Sequence, residues 1–318
     1  MVEYIYLAAG LLILVKSADL MVAGSVSVAN KLGVSTLVIG LTVVSFGTSL
    51  PEMLVSVNAG LDGNSDLAIS NVVGSNIANV LLVLGCAAII RPLPVQNSTV
   101  VSEIPFSLTA ALLLGFLANA AIFSSIPELS ISRVDGVILV FFFVLFLLYI
   151  YKTSSSDSFA DEVPAQQLSV SREIIYLIGG VVGLYIGGQL VVDNAVAVAA
   201  SLGVGDVVIG LTIVAVGTSA PELVASTVAA YRGHTDIAVG NVVGSNIFNI
   251  LWVLGFTATL TELPFNVVSN TDLAIVAGSS ALILVSMAVS RTNAILRWHG
   301  VTFVLLYIGY LAYVVDRG

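Results

Sequence analysis

Charge is scarce in this sequence: Asp, Glu, Lys and Arg together make up 9% of its 318 residues, while 58% are hydrophobic. A soluble domain needs a polar surface over its core, and a mean hydropathy of +1.08 excludes one here. Positive charge is the scarcer sign, since 10 Lys and Arg against 19 Asp and Glu leave a net charge of −9, which argues against nucleic acid as a partner. The lone cysteine, Cys86, excludes an internal disulfide and a cysteine metal cluster, and reads as a small packing residue. The two histidines, His234 and His299, lie near the ends of apolar runs. That placement speaks against an intramembrane hydrolase, which needs a nucleophile with a base, or paired aspartates, at depth.

Long apolar runs take the place of what is missing. A membrane-spanning helix needs roughly 20 apolar residues, and ten such runs can be read, at 4–29, 36–60, 66–90, 101–122, 134–152, 173–200, 206–230, 236–260, 271–290 and 296–315. They are continuous and carry internal Gly and Pro, whereas a membrane barrel shows alternation over about ten residues per strand. The expected fold class is therefore all-α and integral to the membrane. The first run follows Met-Val-Glu without a basic flank or a small-residue cleavage site, so it is expected to remain as helix one rather than leave as a signal peptide.

The chain also repeats itself at an ungapped offset of 170 residues. Gly40–Val57 (GLTVVSFGTSLPEMLVSV) matches Gly210–Thr227 (GLTIVAVGTSAPELVAST) at 10 of 18 positions, and Asp66–Gly85 (DLAISNVVGSNIANVLLVLG) matches Asp236–Gly255 (DIAVGNVVGSNIFNILWVLG) at 14 of 20. The identities fall on Gly, Thr, Ser, Pro, Glu and Asn, which apolar composition alone does not align. Two five-helix units are expected, 1–152 and 172–318, joined by the Ser-rich, mildly acidic linker 153–171. Loops on one side would carry Lys31, Arg91, Lys152, Arg172, Arg232, Arg291 and Arg297, against only Arg133 and Arg317 on the other. This bias places the linker in the cytoplasm and both termini outside a cell membrane. An odd number of helices per unit then inverts the second copy, a plan used by secondary transporters with a site near the midplane.

Two acids stand out against this background. Glu52 and Glu222 lie midway along their apolar spans, where an ionised side chain costs about 2.5 to 3.5 kcal/mol even on lenient scales. Each follows Gly-Thr-Ser-x-Pro. Pro51 and Pro221 lack the N–H that the carbonyls of Gly47 and Gly217 would use, so both helices should break there. Thr48, Ser49, Thr218 and Ser219 add hydroxyls at the same depth. The second block adds Ser75, Asn76 and Asn79, matched by Ser245, Asn246 and Asn249, with Ser75 and Asn79 on one helical face and Ser245 and Asn249 on another. Carboxylates, hydroxyls, amide oxygens and carbonyls suit calcium, which takes roughly six to eight oxygen ligands. Sodium has similar size and the same preference for oxygen. Lys16 and Asp19 in the first run are spaced for a local ion pair, and Asp66 and Asp236 read as helix N-terminal residues.

At these motifs, GTSLPE at 47–52, GTSAPE at 217–222 and NVVGSN at 71–76 and 241–246, the chain resembles the sodium/calcium exchanger family of the cation/calcium antiporter superfamily. There the paired blocks, here at about 40–85 and 210–255, are called α-repeats. The resemblance implies ten helices with helices 2, 3, 7 and 8 broken around a midplane ion site, and alternating access in which helices one and six slide against the rest. It implies as ligands Glu52, Glu222, Thr48, Ser49, Thr218, Ser219, Ser75, Asn79, Ser245 and Asn249, with the backbone carbonyls of Ser45 and Ala215. Calcium and sodium are then the transported partners, with no cofactor and no obligatory protein partner. Some relatives, including the potassium-dependent branch, carry aspartate where this chain has Asn249, so no potassium requirement is expected. Proton-coupled relatives usually carry Gly-Asn ahead of the glutamate, where this chain has Gly-Thr-Ser, which favours sodium. Calcium/proton exchange stays open as an alternative, and a calcium-permeable channel is a further one.

Overall fold

The computed structural model describes residues 2–120, 129–153, 168–202 and 215–317. The described residues are almost all helical, as lipid demands of a chain whose backbone polar groups must pair within their own segment. The helices are α1 (Val2–Leu32), α2 (Thr36–Thr48), α3 (Leu50–Leu61), α4 (Ser65–Ile90), α5 (Thr99–Ala118), α6 (Arg133–Thr153), α7 (Val170–Ser201), α8 (Ala215–Thr218), α9 (Ala220–Arg232), α10 (Thr235–Leu260), α11 (Ser269–Ser290) and α12 (Arg297–Arg317). Among the described residues eight are long and apolar enough to cross a membrane, and nine if α2 and α3, bent by 48°, count as one span. Of the seventh expected span, 206–214 lies outside the described residues; from Ala215 the chain is helical. Residues 154–167 of the expected linker lie outside them too.

The duplicated sequence blocks form matching local structures. Ser49, between α2 and α3, has φ −87° and ψ 8°, and Ser219, between α8 and α9, has φ −86° and ψ 9°. The following turns use Gly63 at φ 78° and Gly233 at φ 92°, left-handed conformations that glycine adopts without strain. Helices 3 and 8 of the sequence reading, α4 and α10, differ from expectation. Each runs unbroken, and its irregularity is a π-helical stretch, Asn79–Leu84 in α4 and Phe248–Leu254 in α10. Neither contains a proline, so nothing forces a break. Widening the turn is enough to redirect side chains.

Short strand pairs tie the loops together: β1 (Leu93–Pro94) pairs with β4 (Ala294–Ile295), and β2 (Ser130–Ile131) with β3 (Leu263–Pro264). The registers correspond, Leu93 opposite Ile295 and Leu263 opposite Ile131. Close helix crossings are duplicated as well: a Cβ on Gly136 would lie 2.7 Å from the carbonyl oxygen of Gly255, and one on Gly300 would lie 2.5 Å from that of Gly85.

The centre of the molecule is α4 and α10, with 72% and 94% of their most apolar stretches buried, against 22% for α6, α7 and α12. Those outer helices present large apolar side chains such as Phe141, Leu148 and Leu305 outward, a surface matched to lipid rather than water. Helices α1 and α7 pack along their lengths through small residues; a Cβ on Gly183 would fall 2.0 Å from Ser17 Oγ, and one on Gly180 would fall 2.6 Å from Met21 Cβ. Such close backbone approach is how helices associate where no hydrophobic force drives them.

Candidate ion-binding site

The break at Ser49 sets Pro51 in the first turn of α3, where a missing N–H costs nothing, and leaves Glu52 in the same turn. Pro221 and Glu222 sit identically in α9. Each glutamate therefore belongs to the first turn of a helix, the positive dipole end that favours a negative charge. Glu52 is 0% exposed and Glu222 is 1% exposed. The two are within electrostatic reach of each other.

Side chains from both halves interlock around them. Ser49 Oγ donates to Glu222 Oε1 at 3.1 Å, and Ser75 Oγ donates to Glu52 Oε1 at 3.4 Å. Thr48 Oγ1 donates to Asn241 Oδ1 at 3.0 Å and lies 3.5 Å from Ser245 Oγ. The remaining oxygen of each glutamate, Glu52 Oε2 and Glu222 Oε2, is buried without a hydrogen bond. So are Asn79 Oδ1, Asn249 Oδ1 and Ser219 Oγ.

The residues that carry these atoms are among those the sequence reading names as candidate ligands. Of the expected residues, Thr218 ends α8, Ser219 is the N-cap of α9, and Ser245 is fully buried on α10. The Ser45 carbonyl already accepts the Ser49 N–H at 3.0 Å and the Thr48 hydroxyl at 3.4 Å. Ala215 opens α8, directly after residues that are not described.

A polar frame of asparagines surrounds these residues, and of its members the sequence reading gave Asn71 and Asn241 no role. Asn76 Nδ2 donates to the Asn246 carbonyl at 3.1 Å, and Asn246 Nδ2 returns the bond to the Asn76 carbonyl at 3.3 Å. Asn79 Nδ2 then donates to Asn246 Oδ1, and Asn249 Nδ2 to Asn76 Oδ1, both at 3.1 Å. The amide nitrogens are used in this way, while the oxygens of Asn79 and Asn249 have no hydrogen bond. Behind the frame, Asn71 Nδ2 donates to Ser56 Oγ and Asn241 Nδ2 to Ser226 Oγ, both at 2.9 Å. Asn71 also donates to the Glu52 carbonyl at 3.1 Å. The signal for all eight residues was present in the sequence, since each is identical to its partner 170 positions away.

One expected pairing is corrected. Asp19 does not pair with Lys16; its carboxylate accepts from Arg232 Nε at 3.1 Å and Nη2 at 2.9 Å, so it links α1 to the end of α9. Two guanidinium N–H groups converge on one oxygen of the carboxylate, charge-assisted bonds that the ammonium one turn away does not make.

Among the described residues no group of three or more His, Cys, Asp and Glu side chains comes together. The donor set is two carboxylates with neutral oxygens, the hard ligands that calcium and sodium prefer and that soft transition metals do not.

Comparison with known proteins agrees with this chemistry. The family described as sodium/calcium exchanger protein matches residues 2–152 and 172–315. The putative antiporter CaxA of Alkalimonas amylolytica is 36% identical, over 98% of each chain. The sodium/calcium exchanger MaX1 of Methanosarcina acetivorans is 32% identical over 98% of this chain and 97% of its own. Crystals of the sodium-calcium exchanger NCX_Mj soaked with sodium and no calcium give a structure that superposes with a TM-score of 0.82, at 34% identity and 98% coverage of both chains. The chain belongs to the sodium/calcium exchanger family of membrane transporters.

Proposed function

We propose that this protein exchanges sodium for calcium across a cell membrane by alternating access, within a ten-helix fold of two inverted five-helix units. The observation that carries the reading is the set of buried oxygens without partners, Glu52 Oε2, Glu222 Oε2, Asn79 Oδ1, Asn249 Oδ1 and Ser219 Oγ. Each such atom costs about 1 to 3 kcal/mol when left unpaired, and charged ones more. A cation held between the two glutamates would satisfy such acceptors together. Two carboxylates neutralise one calcium ion, and the same oxygens accept sodium ions in its place, so competition for shared ligands couples the two fluxes. Glu52, Thr48, Ser49, Ser75 and Asn79 would supply one half of the shell and Glu222, Thr218, Ser219, Ser245 and Asn249 the other, with the carbonyls of Ser45 and Ala215 joining as the site rearranges.

The matching registers of the strand pairs and of the two glycine crossings support the inverted plan. The bias of basic residues supports termini on the extracytoplasmic side. Asn249 argues against a potassium requirement, because its amide donates to Asn76 Oδ1. An ionised aspartate has no proton to give there.

The test uses vesicles reconstituted with the full chain, loaded with sodium and diluted into sodium-free, potassium-free buffer with pH gradients collapsed. Uptake of radiolabelled calcium that requires the sodium gradient is expected. Uptake indifferent to sodium and restored by a pH gradient assigns calcium/proton exchange instead, and downhill calcium flux that needs neither gradient assigns a channel.

A further inference from the structure

A cavity of about 510 Å³ has a wall that reaches from the ion site to the end of the last helix, where Ser75 and Thr218 share it with Asp272, Tyr310 and Arg317. Most of the rest is apolar, including Val55, Leu67 and Val73, so the field of any charge on this wall is weakly screened. Asp272 is the single acid among the lining residues and is only 9% exposed. Its carboxylate is held by a fork: Arg317 Nη1 donates to Oδ1 at 3.1 Å and Nη2 donates to Oδ2 at 2.9 Å, while the Tyr310 hydroxyl donates to Oδ1 at 3.4 Å. The Arg317 guanidinium also lies 5.3 Å from the centre of the Tyr313 ring.

The placement is a paradox for a cation path. A bare guanidinium on the wall would repel calcium and sodium, and a bare carboxylate would trap them. Paired, they leave the wall neutral, with a carboxylate that a cation can claim only by displacing the guanidinium. The first half carries a related acid at the matching place. Buried positions of α5 recur at constant spacing in α11, from Ile104 and Leu273 to Ala118 and Met287, which sets Glu103 against Asp272. Glu103 likewise accepts from a tyrosine of the next long helix, Tyr149, at 2.9 Å.

We propose that Asp272 is an outer cation site between solvent and the central glutamates, and that Arg317 is its tethered competitor. An entering cation exchanges for the guanidinium on the Asp272 carboxylate, takes the Tyr310 hydroxyl oxygen as a second ligand, and moves on to Ser75 and Glu52 as Arg317 closes behind it. The proposal rests on the reading of the chain as a cation antiporter, but is indifferent to whether sodium or protons drive it.

Calcium uptake measured separately from each face of oriented vesicles tests this, in wild type and in Asp272→Asn, Arg317→Gln and Arg317→Lys. On the face bearing the chain termini, Asp272→Asn should raise the calcium KM, and Arg317→Gln should lower it. Each change should be on the order of threefold, at or below the low end of what focused fields do to association rates. Arg317→Lys keeps the competing charge without the fork and should lie between Arg317→Gln and wild type. The KM on the opposite face should not move. An unchanged KM in Asp272→Asn, an equal change on both faces, or a loss of maximal rate and thermal stability alone overturns the proposal, because a pair that merely staples α12 to α11 gives the last of these. If wild type shows no calcium flux under either a sodium or a proton gradient, the antiporter reading itself fails and takes this site with it. Wild-type flux with unresponsive variants removes the outer site alone.

Discussion

The two halves of the proposed ion site use the same residues and differ in what those residues touch. In the supporting layer the match is close: Asn71 with Ser56 mirrors Asn241 with Ser226, and the four asparagines Asn76, Asn79, Asn246 and Asn249 exchange bonds reciprocally. In the ligand layer it fails. Ser49 Oγ donates to Glu222, whereas Ser219 Oγ, on a backbone of nearly identical angles, has no hydrogen bond. The glycines before them diverge from a two-fold plan too, since Cβ atoms on Gly47 and Gly217 would meet Val181 and Val192, both on α7, at 2.5 and 2.2 Å. A duplicated frame thus carries an asymmetric layer of candidate ligands, an arrangement that the proposed alternating access would require of any single state.

The largest effect should come from the carboxylates, which share one feature across the halves, a buried oxygen without a hydrogen bond. Glu52→Gln and Glu222→Gln each remove one of the two charges that balance calcium, and each should reduce sodium-driven calcium uptake by at least about 100-fold, in line with the worth of a lost buried charge contact. A variant retaining a tenth of the wild-type rate would show that the halves do not share the ion equally.

Next come the framing asparagines. Asn76→Ala strips the partner from Asn249, and Asn246→Ala strips it from Asn79, so each should weaken calcium binding about 10- to 100-fold, the usual range for residues that orient a metal ligand. Calorimetric titration of the purified protein should return equal losses for the two. Unequal losses would carry the asymmetry of the ligand layer down into the frame.

Much of this was legible in the sequence because the decisive residues are out of place there. A glutamate after a proline in the middle of an apolar run contradicts its surroundings, and Glu52 and Glu222 sit buried at helix starts as that contradiction implies. The π-helical stretches were not legible, since Asn79–Leu84 and Phe248–Leu254 carry no proline and differ from ordinary helix only in how many residues fill a turn. Nor was the partner of Asp19. Spacing names the neighbours one turn away, Lys16 among them, whereas Arg232 arrives from 213 residues along the chain. The asparagine frame lies between these cases: its identity across the repeat was visible, but its division into ligands and supports depends on which amide each nitrogen meets.

The Asp19–Arg232 pair should give the smallest effect, and it tests the comparison where the halves differ most. Nothing in the second half repeats it, because the aligned position is Gln189. It ties α1 to α9, and its side chains are 26% and 56% exposed, so its contribution to stability should be no more than about 1 kcal/mol. For a protein of this size that is a shift in melting temperature of roughly 2 to 4 °C at most. Asp19→Asn, Arg232→Gln and the double variant, melted at low and high salt, should show a small coupling that salt removes. The same variants bear on transport if α1 moves against α9 during exchange. The ion pair then stabilises only the arrangement in which it forms, and the stability lost on its removal should reappear as an equal shift in the balance between states. A coupling above about 2 kcal/mol that survives high salt would instead mark a desolvated, permanent link, and α1 and α9 would have to move as one body.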